Sequence, residues 1–302
     1  MFSYNIHMKN KLIYFLLILC VLFWSGNFVV GRYVKDEIEA IEMVFFRWLF
    51  TLIIISPILI LKYKNIINSF KKNYYILFPL ALLGITLFNT ILYIGLHTTT
   101  ATNALIINSS IPILILILSF ILFKQKATLR QIIAILLSTF GVLFIVLKGE
   151  IFNIINIEFT KGDLYIILAA IIWALYSIFV KFKPKDLSDF EFFSSIVFLG
   201  FMLLLPVYFY QGYSLNKEIE LLKNNYLVFL YISIFTSVLS YYFWHKGIKA
   251  IGASITSQFT HLMPFFGAIL AYIFLDEVMQ FYHIIGALFI GIGIYLSLLK
   301  TK

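Results

Sequence analysis

Ten long runs of apolar residues dominate this chain of 302 residues. Each run approaches the roughly 20 apolar residues that an α-helix needs to cross a bilayer. The runs are apolar on all sides and do not alternate, which excludes the strands of a membrane β-barrel. The sequence therefore predicts an all-α integral membrane protein with ten transmembrane helices. These predicted spans, numbered 1 to 10, cover residues 12–30, 41–61, 74–97, 102–123, 129–147, 162–180, 190–209, 226–247, 253–275 and 281–299.

Charge is scarce and unevenly distributed along the chain. Charged residues make up 12% of the sequence, against about 25% in ordinary soluble domains. The 23 Lys and Arg residues form no basic stripe, so nucleic acid is not expected as a partner. Sixteen of them fall in the terminal segments and connections on the side of the N-terminus, six on the opposite side, and Arg47 lies inside span 2. By the positive-inside rule, both termini are predicted to face the cytoplasm.

Comparing the chain with itself reveals an internal repeat. Three pairs of identical residues are separated by 149 positions and four further pairs by 152, in corresponding spans. We infer two five-span repeats, residues 9–148 and 160–300. Because five is odd, the second repeat enters the membrane from the opposite face, so the repeats are inverted. The pairs are Trp24/Trp173, Glu42/Glu191 and Pro57/Pro206, then Gly95/Gly247, Ala101/Ala253, Pro112/Pro264 and Gly141/Gly293.

Four short motifs fit this architecture. They are Trp-Ser-Gly-Asn-Phe at residues 24–28, the stretches 101–112 and 252–264, and Leu-Asp-Glu at 275–277. In order and spacing the chain resembles the EamA-type permeases of the drug/metabolite transporter superfamily. The resemblance implies a multi-pass carrier of the bacterial inner membrane, commonly an exporter of amino acids or related metabolites, with a central cavity. One position departs from the family pattern: the acidic residue matched at Glu277 is Gln125 in the first repeat.

Spans 4 and 9 contain most of the polar residues that lie within lipid. Such residues need partners, water or a substrate, because unpaired polar groups in hydrocarbon are costly. Each cluster precedes a proline, which frees a backbone carbonyl one turn earlier. The clusters predict either a bent, substrate-lined helix in each repeat or ordinary polar packing between helices. The candidates are Asn103, Asn108 and the helix-kink residue Pro112 in span 4, and Gln258, His261 and the helix-kink residue Pro264 in span 9.

Aromatic residues supply a second group of candidates for the wall of a cavity. Trp24 and Trp173 correspond in the two repeats and lie deep in their spans, followed by Asn27 and Tyr176 respectively. Tryptophan rings at these positions would stack on a flat or apolar substrate, and plain packing is the alternative. The weaker candidates of the same kind are Tyr93, Tyr241, Tyr242 and Trp244.

Two ionisable residues lie well inside spans. Arg47 is assigned a structural role, either reaching back to the membrane surface or pairing with Glu42. His261 is the best placed titratable group for proton exchange, with helix packing as the alternative. The sequence shows no nucleotide-binding loop and no paired metal-ligand spacing, so neither cofactor nor metal is expected.

These features favour a secondary carrier that exports a small metabolite, such as an amino acid, by alternating access. Its expected partners are the lipid bilayer and a small-molecule substrate, and the small residues of span 10 are compatible with a homodimer. No catalytic residue is assigned, and the chain is not expected to be an enzyme. The alternatives are an intramembrane enzyme acting on lipid or prenyl substrates, which would need clustered acids or histidines, and a channel or sensor.

Overall fold

The computed structural model of the chain describes residues 2–34, 36–274 and 278–299. Within these residues the backbone forms helices and no strand. The motif at 275–277, including Glu277, lies outside the described residues. The α-helices that build spans 1 to 5 are Phe2–Val34, Ala40–Leu61, Tyr63–Ala81 with Phe88–Thr98, Ala101–Asn108 with Ile111–Phe123, and Leu129–Val146. Those of spans 6 to 10 are Lys161–Phe179, Asp189–Tyr210, Leu215–Tyr231 with Ser240–Gln258, Met263–Phe274 and Phe281–Leu298. The part of Ser240–Gln258 that follows Gly252 belongs to span 9.

Nine helical stretches of the described residues are long and apolar enough to cross a membrane, and one of them holds two crossings. That stretch, Leu215–Phe274, has 60 residues, about 90 Å at helical rise against a hydrocarbon core of about 30 Å. Gly252 breaks it with φ +80°, a left-handed value open to glycine. Spans 8 and 9 therefore meet at Gly252, and the ten-helix prediction is confirmed.

The connections before spans 3 and 8 differ from the sequence prediction. The predicted spans leave residues 62–73 and 210–225 as connections, yet helices begin at Tyr63 and Leu215 and run into the spans. Each helix bends at an asparagine, Asn73 with φ −125° and Asn225 with φ −121°. At the edge of a bilayer a helix satisfies its own backbone groups, which explains why these polar segments stay helical.

Local irregularities recur at equivalent positions of the two repeats. Asn73 and Asn225 differ by 152 residues, the spacing of the later sequence pairs. The π-helical turns Leu82–Leu87 in span 3 and Ile232–Leu239 in span 8 correspond in the same way. A π-helical turn inserts one extra residue and so leaves a backbone carbonyl without its usual partner. The two repeats therefore share irregularities of the backbone as well as identical residues.

Helix starts provide further matched features. Span 2 begins with a capping box between Glu39 and Glu42, and span 7 with one between Ser188 and Glu191. In each box the N3 carboxylate accepts the backbone N–H of the cap residue at 2.8 Å. The matched glutamates found in the sequence thus begin equivalent helices, since a capping box satisfies donors that a helix start leaves free.

Packing interleaves the two repeats. Span 1 packs on spans 8 and 9, and its repeat counterpart, span 6, packs on spans 3 and 4. Span 2 packs on span 7, and span 5 on span 10. Exchanging the two repeats reproduces this whole set of neighbours. The buried core therefore lies between the repeats, as expected for an inverted pair.

Small residues bring spans 5 and 10 together. A Cβ added to Gly141 would lie 2.5 Å from the carbonyl oxygen of Gly286, and one added to Gly293 would lie 2.6 Å from that of Ala134. Close approach of this kind is the usual packing of small residues in membrane helices. Gly286 and Gly293 therefore pack against span 5 of the same chain, whereas Gly291 has no neighbouring atom within 4 Å of its Cβ position.

Candidate functional site

A cavity lies where the two repeats meet, near the middle of the spans. Its wall draws on spans 1 to 5 of the first repeat and spans 6, 8 and 9 of the second. Arg47 is the only charged residue in this wall among the described residues. The lining side chains are Trp24, Asn27, Phe28, Arg47, Phe88, Asn89, Leu92, Leu105, Asn108, Ser109, Ile111, Val142, Trp173, Tyr241, Thr260, Met263 and Pro264.

The structure brings together some of the residues singled out in the sequence. Trp24, Asn27, Asn108, Trp173 and Pro264 line the cavity. The other candidates lie behind this wall or away from it: Tyr93, Asn103, Pro112, Tyr176, Gln258 and His261.

Helix breaks occur next to both prolines. In span 4 the first helix ends at Asn108 and the second begins at Ile111, with Pro112 in its first turn. In span 9 a short 3-10 helix, Phe259–Leu262, precedes the helix that contains Pro264. Proline fits the first turn of a helix because the missing N–H would have no partner there.

The π-helical turns supply backbone acceptors beside the cavity. The carbonyl of Thr236 accepts Trp24 Nε1–H at 3.0 Å and Arg47 Nη2–H at 3.2 Å. The carbonyl of Gly84, 152 residues earlier, accepts the Tyr241 hydroxyl at 2.7 Å and Asn89 Nδ2–H at 3.2 Å. Equivalent irregular turns therefore anchor side chains of both repeats in the cavity wall.

Arg47 differs from its expected role. Its Nε donates to Ser237 Oγ at 2.8 Å and its Nη1 to Tyr93 Oη at 3.4 Å, so it neither reaches the membrane surface nor pairs with Glu42. Glu42 instead forms an ion pair with Lys217 at 3.0 Å. Two causes explain this. Ser237 and Thr236 on span 8 face Arg47 and supply neutral hydrogen-bond partners deep in the bundle. Glu42 and Arg47 are five residues apart, which is a poor separation for an ion pair within one helix.

Two repeat-related hydrogen bonds flank the cavity. Tyr93 Oη donates to Asn27 Oδ1 at 2.9 Å. At the equivalent positions, a hydrogen bond of 2.6 Å joins Tyr176 Oη and His245 Nε2. Asn27 and Tyr176 differ by 149 residues, and Tyr93 and His245 by 152. Equivalent positions of the two repeats therefore hold a Tyr–Asn hydrogen bond beside Arg47 and a Tyr–His hydrogen bond on the other side of the cavity.

Aromatic side chains fill the bundle between the cavity and the connection of spans 6 and 7. Trp173 lies with its ring centroid 5.3 Å from that of Trp24, 5.5 Å from Tyr241 and 5.2 Å from Tyr176. Trp244 is fully buried beside them and donates to Ser177 Oγ at 3.2 Å. Edge-to-face and tilted contacts of this type stabilise aromatic clusters. The cavity is closed on this side.

His261 joins the broken helices of spans 9 and 4. Its Nε2 lies 2.9 Å from the carbonyl oxygen of Ser109, and its Nδ1 lies 2.7 Å from Ser138 Oγ. A carbonyl only accepts, so Nε2 carries a proton and donates it to Ser109. Both ring nitrogens of His261 therefore have partners within the protein.

Asn103 belongs to a polar cluster at the start of spans 4 and 6. Its Nδ2 donates to Asp163 Oδ2 at 2.9 Å and to the Glu158 carbonyl at 3.0 Å. Asp163 is fully buried and also accepts the Thr99 hydroxyl and the Thr160 backbone N–H. This cluster ties the two repeats together on the side opposite the aromatic cluster.

Gln258 occupies a similar tying position in span 9, where its Oε1 accepts the Ser297 hydroxyl of span 10. Within the described part of the chain, no group of three or more His, Cys, Asp or Glu residues has metal-binding geometry.

Among the polar residues of the wall, Asn89 was not predicted, Arg47 was not expected to line a cavity, and Tyr241 was only a weaker candidate. Asn89 and Tyr241 are separated by 152 residues, so the repeat spacing relates them although their identities differ. A search restricted to identical residues misses such pairs. Arg47 has no comparable partner, because the equivalent position holds Ile196.

A bundle of ten membrane-spanning helices with a cavity between two inverted repeats defines the class of membrane transporters. The sequence matches the family described as the EamA-like transporter family over residues 11–147 and 160–299. This match covers most of the chain in two copies, and the protein belongs to the EamA-like transporter family.

Individual relatives agree with this assignment. The chain is 28% identical over 278 residues to the uncharacterized transporter YetK of Bacillus subtilis, covering 92% of this chain and 84% of that protein. It is 27% identical to the S-adenosylmethionine uptake transporter of Rickettsia prowazekii, covering 89% of this chain and 85% of that protein. A solved crystal structure with 13% identity superposes with a TM-score of 0.68, covering 95% of this chain and 97% of the other, and therefore shares the fold.

Proposed function

We propose that this protein is a secondary transporter that exports small metabolites, with amino acids as the leading class, by alternating access. The observation that carries the proposal is the cavity at the junction of the repeats, walled by polar and aromatic side chains from both and closed on one side by aromatic residues. Substrate sites of transporters built from inverted repeats lie at such junctions.

The repeat-related contacts supply a basis for alternation. The Tyr93–Asn27 and Tyr176–His245 hydrogen bonds occupy equivalent positions on opposite sides of the cavity. An inverted pair of repeats reaches a second conformation when the two exchange their local arrangements. In this proposal the aromatic side and the side of Asn103 and Asp163 open in turn and never together, so the substrate crosses without a continuous pore.

We place the protein in the bacterial inner membrane with both termini in the cytoplasm, as the Lys and Arg distribution predicts. In that orientation the aromatic cluster lies between the cavity and the cytoplasm, and the cluster of Asn103 and Asp163 lies on the outer side. The repeats are taken as residues 9–148 and 160–300. A homodimer would use exposed small residues such as Gly291.

Counterflow in proteoliposomes tests the proposal. Vesicles preloaded with one unlabelled amino acid are expected to accumulate the same labelled amino acid transiently, for at least one member of a panel of twenty. The panel also contains S-adenosylmethionine, because a relative is named for its uptake. Absence of counterflow for every compound, with correctly folded protein, would remove the substrate claim.

A matched pair of tryptophan substitutions on span 4 tests the cavity itself. Leu105 lines the cavity, whereas Leu122 is exposed at the surface of the bundle. Leu105→Trp fills space that the substrate needs and is expected to lower counterflow at least about tenfold. Leu122→Trp adds the same ring toward lipid and is expected to retain transport. Equal rates in the two variants would contradict the assignment of the cavity as the substrate site.

A further inference from the structure

Arg47 is a buried cation with only neutral partners. Its residue is 3% exposed, and it hydrogen-bonds to Ser237 Oγ, Tyr93 Oη and the Thr236 carbonyl. Within residues 2–34, 36–274 and 278–299 it has no ion pair with a carboxylate. A buried charge without a counter-ion is costly, and such a charge inside a membrane bundle usually marks a functional site.

The guanidinium group of Arg47 has more N–H donors than hydrogen bonds within the protein. Arginine has five N–H donors, and Nε, Nη1 and Nη2 each use one of them. Two donors remain, one on each terminal nitrogen, and the side chain lines the cavity. A carboxylate has two oxygens that accept such a pair of donors.

The contacts of Tyr93 leave a second donor group, the Asn27 amide, available beside Arg47. Tyr93 Oη accepts a hydrogen bond from Arg47 and donates one to Asn27 Oδ1. This fixes the Asn27 amide with Oδ1 engaged, so its Nδ2 donors are the group available in the cavity wall. Arg47 and Asn27 therefore both offer donors to an anion.

A buried acceptor complements these donors. Asn89 is fully buried and lines the cavity, and its Nδ2 donates to the Gly84 and Ile85 carbonyls. Because carbonyls only accept, Oδ1 is the atom left over, and it has no hydrogen-bond partner among the described residues. An unpaired buried acceptor is costly unless a donor reaches it.

The repeat shows that the fold itself does not require this charge. Ile196 stands at the equivalent position of the second repeat, 149 residues after Arg47, and it is fully buried. The same helix-packing position thus accepts a hydrocarbon side chain. Arg47 breaks the symmetry of the repeats at the cavity wall.

We propose that the cavity binds the head group of an α-amino acid, with the carboxylate held by Arg47 and Asn27 and the ammonium donating to Asn89 Oδ1. This inference rests on the proposed function in taking the cavity as the substrate site. Trp24 and Trp173 then face the substrate side chain, which favours apolar and aromatic amino acids. Arg47 is the residue that selects the carboxylate.

Matched ligands test this assignment in the wild-type protein. Isothermal titration calorimetry of purified protein in detergent compares phenylalanine with phenylalaninamide, which lacks the carboxylate, and with 3-phenylpropanoate, which lacks the ammonium; the leucine series serves as a second set. Phenylalanine is expected to bind at least about tenfold more tightly than either analogue, the range of a charged hydrogen bond. Equal affinities within both series, or no binding at all, would overturn the proposal.

Variants then assign the preference to Arg47. Arg47→Gln is expected to bind the acid and the amide about equally, while Arg47→Lys keeps part of the preference for the acid because it keeps the charge. Arg130→Gln makes the same change at the start of span 5, outside the cavity wall, and is expected to behave as wild type. A full preference for the acid in Arg47→Gln would refute the role of Arg47.

The two proposals fail separately. Discrimination between acid and amide in the calorimeter, with no counterflow of any amino acid, would refute transport and leave the head-group site standing. Counterflow of phenylalaninamide as fast as phenylalanine would refute the head-group site and leave transport standing. Because the ligand comparison uses the wild-type chain, it holds even where a substitution at Arg47 prevents folding.

Discussion

Alanine at Gly141 is expected to destabilise the folded bundle by about 1–3 kcal/mol, the usual cost of overpacking. The new Cβ would lie 2.5 Å from the carbonyl oxygen of Gly286. Neither backbone can yield locally, because the two helices pack along their length, so spans 5 and 10 must separate. Thermal unfolding of the purified protein in detergent, followed by tryptophan fluorescence, measures the loss.

Gly291 provides the matched control on span 10. A Cβ there meets nothing within 4 Å in the same chain, so in the monomeric bundle only the intrinsic helix preference changes, and alanine exceeds glycine by about 1 kcal/mol in a helix interior. Gly291→Ala is therefore expected to raise the midpoint slightly while Gly141→Ala lowers it. The same direction of change in both variants would show that the close contact between spans 5 and 10 does not determine stability.

Loss of the Asp163 carboxylate is expected to have the larger effect, about 2–5 kcal/mol. Asp163→Ala leaves the Asn103 amide and the Thr160 backbone N–H without their acceptor. Each buried donor without a partner costs about 1–3 kcal/mol, and more when the lost partner carries a charge. The junction of spans 4 and 6 weakens with it, and the unfolding midpoint falls correspondingly.

Two further variants separate this cause from a general effect of removing an acid. Asp163→Asn keeps one oxygen acceptor and is expected to recover part of the stability. Asp186 is exposed in the connection of spans 6 and 7, and Asp186→Ala is expected to leave the midpoint within about 0.5 kcal/mol of wild type. Equal losses for Asp163→Ala and Asp186→Ala would disprove the structural role of Asp163.

The symmetry of the fold was predictable because identical residues survive where both repeats need the same chemistry. Glu42 and Glu191 cap equivalent helices, and Gly141 and Gly293 permit equivalent close contacts. Most other equivalent positions carry different residues. Tyr93 and His245 are related by the 152-residue spacing, but only the structure reveals that these unlike side chains form equivalent hydrogen bonds.

The site was predictable only in part, for a related reason. A tryptophan or asparagine within an apolar run stands out in any sequence, which explains why Trp24, Asn27 and Trp173 were found. Whether a polar side chain faces a cavity or a neighbouring helix depends on helix rotation. Asn103 and His261 satisfy their polar groups on adjacent spans, although their setting in the sequence resembles that of Asn108.

Hydrophobic length by itself determined the membrane location and the ten spans, because the bilayer imposes length and polarity on each helix separately. Identical residues at two fixed spacings determined the two inverted repeats. Tertiary structure alone decided which groups remain free to meet a ligand. Arg47 shows the difference: the sequence indicated a costly charge inside span 2, and the packing of spans 3 and 8 around it determined that only neutral atoms engage it. Contacts between distant segments settle that question, and no local pattern encodes them.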